Sequence, residues 1–249
     1  MSINEAATAE NDLTLYRNPD WRTAFPGLQQ GITGRGDARF ALPGPLSQRA
    51  PAWEDGWRQL AAATGIDTIA RCRQVHGASV VVCDHALPAG LNLMGEADAM
   101  VTARADLLLA VTVADCVPVF LMDPGRRVVG LAHAGWRGTA AGVVRAALEG
   151  MRGLGALEAE VYAYLGPAIC GGCYEVGPEV PAALGGWPEN TRRVDLRAHI
   201  RRDLEGIGLS PERVTVSAAC TRCSCDRFYS YRGGDRDRRM CAFLGWSPR

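Results

Sequence analysis

Residues 111–139 read VTVADCVPVFLMDPGRRVVGLAHAGWRGT, and no other stretch narrows the folding choices of this chain as much. Two apolar runs, 107–114 and 117–122, flank Asp115 and Cys116. A turn at Asp123-Pro124-Gly125 leads into a third run, 128–132, that ends at His133. Apolar runs of this length, bounded by Gly and Pro, read as strands of a hairpin in a buried sheet. Pro118 cannot donate to a ladder, so the strand is expected to break at Cys116. Asp115-Cys116 and the segment from His133 to Gly138 then fall at element ends. A thiol, an imidazole, a carboxylate and a guanidinium (Arg137) are thereby presented from a rigid base.

The chain around this hairpin is globular. Its 249 residues are 47% hydrophobic and 22% charged, enough apolar surface for a sizeable core. Basic and acidic residues balance at 27 each, which gives no footprint for nucleic acid or a membrane surface. No window is apolar enough to span a bilayer. The N-terminal MSINEAATAENDLTLYRN lacks the basic region and apolar core of a signal peptide, so residues 1–17 are expected to be a flexible tail. Without an export signal the nine cysteines are expected to be reduced thiols in the cytosol, most of them small buried hydrophobes. Only four histidines are present: His76, His85, His133 and His199.

Residues 18–44 are rich in Gly and Pro without a clear period, and Arg35 lies there in a TGRG turn. Residues 44–51 read as a loop. Helical spacing of Trp53, Trp57, Leu60, Ala61 and Thr64 predicts a helix over 53–64. Residues 68–84 read as two strands around Gln74-Val75-His76-Gly77, residues 88–96 as a loop, and Asp98 opens a short strand. A helix is expected from Gly138 to about Met151, with Val143, Val144, Ala147, Leu148 and Met151 on one face. A strand over 160–165, a short helix over 178–184 and a helix capped by Asp195 follow. In that last helix His199 falls off the apolar stripe and reads as a surface residue, as His85 does in its loop. Strands are expected at 214–216, 228–232 and 240–244. Cys170 and Cys173 have CxxC spacing without a thioredoxin-like context. Cys220, Cys223 and Cys225 could form a second zinc site with Cys241, but structural or incidental cysteines are the preferred reading.

His76, Cys116 and His133 each fall at a bend beside a buried strand. Three readings share those atoms. A His2Cys set with a vacant fourth position is a catalytic zinc site. It is also the equatorial set of a blue-copper centre, and a Cys–His pair is a thiol nucleophile with its base. A multicopper oxidase needs a histidine-rich cluster that four histidines cannot supply. Arg137, four residues after His133, is placed to hold an oxyanion bidentately.

Six motifs then fall in order: QVHG (74–77), DAMVT (98–102), ADCVPVFLMDP (114–124), HAGWRGT (133–139), GPAI with CYEVG (166–169, 173–177), and CT…FYSYR (220–232). From residue 68 to the C-terminus they resemble the YfiH family, also called laccase-domain or polyphenol-oxidase-like. The resemblance implies a mixed α/β (α+β) fold, a layered single domain over 18–249 with mixed β-sheets flanked by helices. It implies zinc held by His76, Cys116 and His133. It further implies phosphorolysis of adenosine, inosine or methylthioadenosine to the base and a ribose 1-phosphate, with adenosine deamination attached. On this view Arg137 and Arg35 hold phosphate, and Asp98 or Asp115 protonates the departing purine. Asp115 has an alternative role, orienting a ligand histidine. The chain departs from the family in two places. The N-terminal His-x-Phe-Thr-Thr-Arg motif is reduced to GITGRG (31–36), where Arg35 matches the arginine and the histidine is missing. The usual Thr-Gly-Arg-Met is Asp237-Arg238-Arg239-Met240. The rivals are a Cys–His amidohydrolase editing cell-wall precursors, a copper polyphenol oxidase, and a zinc-stabilised interaction domain.

Overall fold

Apolar residues in this chain run unbroken through its central strands, and both sides of those strands are covered. The computed structural model describes residues 1–36, 38, 40, 51–188 and 190–248, with side chains at 51–53 not described. One seven-stranded sheet follows the order β1 (Ser2–Ile3), β13 (Val214–Ser217), β12 (Tyr162–Leu165), β10 (Val117–Asp123), β11 (Val128–Ala134), β8 (Ala99–Thr102), β6 (Val80–Val82). The other, also seven-stranded, follows β2 (Ala6–Glu10), β3 (Leu13–Arg17), β4 (Leu28–Thr33), β14 (Met240–Trp246), β9 (Leu107–Val113), β5 (Thr68–Arg73), β7 (Gly90–Glu96). Each sheet mixes parallel and antiparallel pairs, and the mixed α/β class read from the sequence holds.

Period-two alternation divides the side chains among three apolar layers. Phe120, Met122, Val129 and Leu131 of the first sheet meet Leu107, Leu109, Val111 and Leu244 of the second. The opposite faces of β10 and β11, through Val119, Leu121 and Ala132, pack on α4 (Val143–Gly153) and α6 (Leu196–Ile207). Leu108, Ala110 and Phe243 pack on α2 (Pro51–Thr64) through Trp57 and Leu60. The layers therefore run helix, sheet, sheet, helix. Strands buried on both faces carry no polar alternation, which is why their sequence reads as continuous apolar runs.

Several expectations are corrected. Residues 1–17 are not a loose tail: β1 pairs in parallel with β13, and β2–β3 forms a hairpin on the second sheet. Its two-residue turn, Asn11-Asp12, has both residues at positive φ (48° and 63°), the turn form that suits hairpin twist. Residues 88–96 contain β7, parallel to β5. The helix expected from Gly138 is two, α3 (Trp136–Ala140) and α4, broken at Gly142 with φ 82°. All five residues named for its apolar face are buried. Residues 228–232 are turns rather than a strand. His199 is buried and paired with Asp203 at 3.3 Å. The 18–44 segment holds α1 (Pro19–Ala24) and β4, and the loop expected at 44–51 lies largely outside the described residues. The β10–β11 hairpin forms as expected, but β9 belongs to the other sheet. No helix among the described residues is long and apolar enough to cross a membrane.

The layered core makes a stability prediction. Phe120 is fully buried between the sheets and stacks on Tyr164 at 5.3 Å, whereas Val82 is 42% exposed on an edge strand. Phe120→Ala is expected to cost about 3–5 kcal/mol in urea unfolding, and Val82→Ala within roughly 0.5 kcal/mol of nothing. Equal midpoint shifts for the two would refute the layering.

Candidate metal centre

The chain passes from the second sheet to the first three times in its central third: β5 to β6, β7 to β8, and β9 to β10. His76 lies on the first crossing, Asp98 on the second, and Asp115-Cys116 on the third. His133 joins them from the end of β11, where it pairs in register with Pro118. The three crossings lie at one seam, and their polar side chains converge there.

Each crossing is tied down by its own motif. Gln74 imitates a strand neighbour for the end of β9. Its Nε2 donates to the Thr112 carbonyl (2.8 Å), and its Oε1 accepts from Thr112 N (2.8 Å) and Oγ1 (3.0 Å). Val75 and Gly77 donate their N–H groups to Asp98 Oδ2 at 3.0 and 2.7 Å. Between them His76 sits at φ 59°, with its ring exposed toward solvent. On the third crossing Asp115 is held at φ 87°. Its Oδ1 accepts from Thr221 Oγ1 (2.6 Å), its Oδ2 from Arg232 N (2.7 Å), and its carbonyl from Ile169 N (3.1 Å). That grip points Cys116 into the seam.

The ligand atoms of His76, Cys116 and His133 all lie within 4.8 Å of one another. The two imidazole rings meet edge to face with centroids 4.8 Å apart. His133 Nδ1 is engaged by Asp98 Oδ1 at 2.8 Å, which leaves Nε2 for the cluster. A side chain on Gly135 would close the space: its Cβ would sit 3.0 Å from both Cys116 Sγ and His76 Cδ2. The glycine of HAGW therefore keeps the cradle open. Two imidazoles and a thiolate, one ring fixed by a carboxylate and the cluster open on the His76 side, fit a metal with three protein ligands and a free position.

The charges describe a thiolate facing an imidazolium, a pair in which a metal ion would take the place of the proton that His133 carries toward Cys116. Burial opposes a Cys116 thiolate, yet the facing His133 and His76 outweigh it and bring the thiol down to about 6. Burial likewise opposes a charged His133, but Cys116 and Asp98 raise it to about 9. Asp98 is 1% exposed; burial disfavours its charge, and His133 with the two loop N–H groups still holds its pKa below the usual carboxylate range.

Asp98, rather than Asp115, is the carboxylate that meets a histidine of the cluster. Both carboxylates are buried, and each accepts hydrogen bonds at both oxygens. Arg137 is exposed on α3, two residues beyond Gly135, with its guanidinium 4.3 Å from the Trp136 ring centre and no ion pair among the described residues. Arg35 pairs with Asp235 at 2.8 Å and covers the Tyr229 ring. No described contact brings it to the cluster. Sequence reading did not single out Tyr174, whose pKa is raised to about 12 by burial and by the Cys116 and Asp115 charges against Arg232 and Arg137. Its place inside the CYEVG motif was the available signal. His85 and His199 lie outside the cluster.

Comparison with known proteins identifies the family. Residues 49–247 match the family model described as multi-copper polyphenol oxidoreductase laccase. A purine nucleoside phosphorylase of Deinococcus radiodurans is 42% identical over 247 residues, covering 94% of this chain and 93% of its own. One of Streptomyces coelicolor is 43% identical over 244 residues, covering 90% and 97%. The adenosine deaminase RL5, from an unknown prokaryotic organism, is 33% identical over 240 residues, covering 86% and 91%. The crystal structure of YlmD from Geobacillus stearothermophilus superposes with a TM-score of 0.80 at 26% identity, covering 98% of this chain and 99% of that one. With its motifs gathered at one seam and its fold shared along the whole length, the chain belongs to the laccase-like YfiH family.

Proposed function

We propose that this protein is a zinc-dependent purine nucleoside phosphorylase that also deaminates adenosine. The observation that carries the reading is the three-ligand His76–Cys116–His133 cluster, open on its His76 side and close along the chain to Arg137, which has no ion-pair partner among the described residues. The names of the similar proteins supply the substrate class. Zinc fits better than a multicopper cluster because two histidines and one thiol make a mononuclear site, whereas a multicopper oxidase needs many more histidines.

In phosphorolysis a phosphate oxygen bonds to C1′ of the ribose, the C1′–N9 bond breaks, and its electron pair leaves with the purine, which takes up a proton. Zinc, when bound, would polarise a phosphate or ribose oxygen. Arg137 would anchor phosphate by paired charge-assisted hydrogen bonds; Arg35, already paired with Asp235, is a weaker second anchor than the sequence suggested. Asp98 and Asp115, with all their oxygens engaged, act as positioning residues in this scheme. Asp98 fixes the His133 tautomer, and Asp115 fixes the Cys116 backbone. Tyr174 keeps its proton at neutral pH and offers a hydroxyl near the cluster.

A second reading has one observation in its favour. Asp98, His133 and a Cys116 thiol lowered to about 6 also form a carboxylate–imidazole–thiolate series, the arrangement of a cysteine hydrolase. Chelation separates the two. Under the zinc reading, chelator abolishes turnover while the fold persists and zinc restores it. Turnover that survives chelation and is then killed by iodoacetamide supports the thiol.

Incubation with adenosine, with and without phosphate, is expected to give adenine only when phosphate is present, with a slower yield of inosine in either case. Chromatography showing neither product would overturn the assignment. Cys116→Ser is expected to lose bound zinc and to slow both reactions on the order of a hundredfold or more; retained activity without metal would remove zinc from the scheme. Asp98→Asn is expected to weaken zinc binding about 10–100-fold, measured by competition with a chromophoric chelator. Arg137→Ala is expected to raise KM for phosphate about tenfold or more while KM for adenosine changes little. A reversed pattern would assign the arginine to the nucleoside.

A further inference from the structure

Four further cysteines meet on the far side of Asp115. Two CxxC turns, Cys170-Gly171-Gly172-Cys173 after β12 and Cys220-Thr221-Arg222-Cys223 after β13, bring four Sγ atoms within 4.8 Å of one another. The expected partners Cys225 and Cys241 are not among them: Cys225 is exposed and Cys241 is fully buried in β14, against the α2 layer. Each turn closes on the carbonyl of its first cysteine. Cys173 N and Tyr174 N donate to Cys170 O at 2.9 and 3.0 Å, and Ser224 N donates to Cys220 O at 2.9 Å. The turns are joined by a bridge between Ala168 and Cys220 and by Thr221 N donating to Ala168 O at 3.2 Å.

We infer that Cys170, Cys173, Cys220 and Cys223 form a closed four-thiolate site for a structural zinc ion, separate from the His76–Cys116–His133 centre. Zinc–sulfur bonds of about 2.3 Å in a tetrahedron set the sulfurs about 3.8 Å apart, and the observed cluster has that scale. The Cys173 and Cys223 sulfurs are 3.4 Å apart, far from the roughly 2.05 Å of a disulfide. The backbone also prepares for thiolates. Cys170 N donates to Cys220 Sγ at 3.3 Å. Four protein ligands leave no position for water or substrate, so this site serves the fold rather than the reaction.

What the ion would hold is specific. One turn follows Ile169, whose N–H bonds the Asp115 carbonyl; the other contains Thr221, whose hydroxyl bonds the Asp115 carboxylate. Stapling the turns fixes both donors at once.

The test is metal content by plasma mass spectrometry on protein purified in reductant. Wild type is expected to carry about two zinc ions per chain. Cys173→Ser/Cys223→Ser, which removes one ligand from each turn, is expected to carry about one. His76→Ala is expected to keep the thiolate-bound ion: after cobalt substitution it should show the intense near-ultraviolet sulfur-to-cobalt bands of a four-sulfur site. A single zinc per wild-type chain, unchanged in the double variant, would overturn the inference. So would a non-reduced intact mass about four daltons low, the mark of two disulfides, or iron in place of zinc. The cobalt spectrum of His76→Ala, with all four cysteines intact, decides the matter even where the double serine variant fails to fold.

Discussion

The carboxylate of Asp98 holds the seam together. A buried carboxylate costs several kcal/mol unless its oxygens are met by charge and hydrogen bonds. Asp98 meets that demand by reaching two segments far apart in sequence, 75–79 and His133. Oδ2 takes the N–H groups on either side of His76, and Oδ1 takes the His133 ring. Its backbone joins in as well, accepting from His133 N at 2.7 Å and donating to Ser79 O at 3.1 Å. Removing the carboxylate would free the His76 loop and the His133 tautomer together. The positive φ at His76 is tolerable for the same reason, since the flanking amides are clamped.

Layering explains why the chemistry sits where it does. Both sheets are covered on both faces, so their interiors offer no place for an exposed reactive group. Only where the chain leaves one sheet for the other can a thiol or imidazole be both rigidly based and reachable. The burial gradient follows: His133 is 3% exposed, Cys116 half-buried and His76 open. Substrate would approach from the His76 side. Arg137, on the short helix that starts beside Gly135, is separated from that glycine by Trp136 alone.

Legibility in the sequence followed the range of the interactions. The apolar stripes of α4 and α6, the Asp195 cap and the β10–β11 hairpin depend on neighbours within a few turns, and they read directly. His76, Cys116 and His133 were legible because each sits beside an unmistakable apolar run at a break. Sheet membership was not, since β9 and β10 are adjacent in sequence yet pair with different partners, and only the Asp115 bend decides it. The strands β2 and β7 carry Ala, Gly, Asn and Glu, residues poor in strand propensity, and form because a sheet edge accepts them. The role of Asp98 was hidden for a related reason. An isolated Asp before a strand reads as a turn former or an acid, and its real partners lie 21, 23 and 35 residues away.

The two cysteine-bearing clusters are connected through Asp115. A non-glycine residue at φ 87° stores strain of about 1–3 kcal/mol, and it persists only where its surroundings leave no alternative. Those surroundings are Ile169 N, Thr221 Oγ1 and Arg232 N. The first two sit in or beside the CxxC turns. The third follows the second turn by nine residues, and Arg232 Nη1 donates back to the Glu175 carbonyl, beyond the first, at 2.7 Å. None of these loops has a strand ladder of its own to fix it. A cross-link among their sulfurs would supply the rigidity that a sheet supplies elsewhere, and Cys116, one residue after the strained bend, would receive it directly.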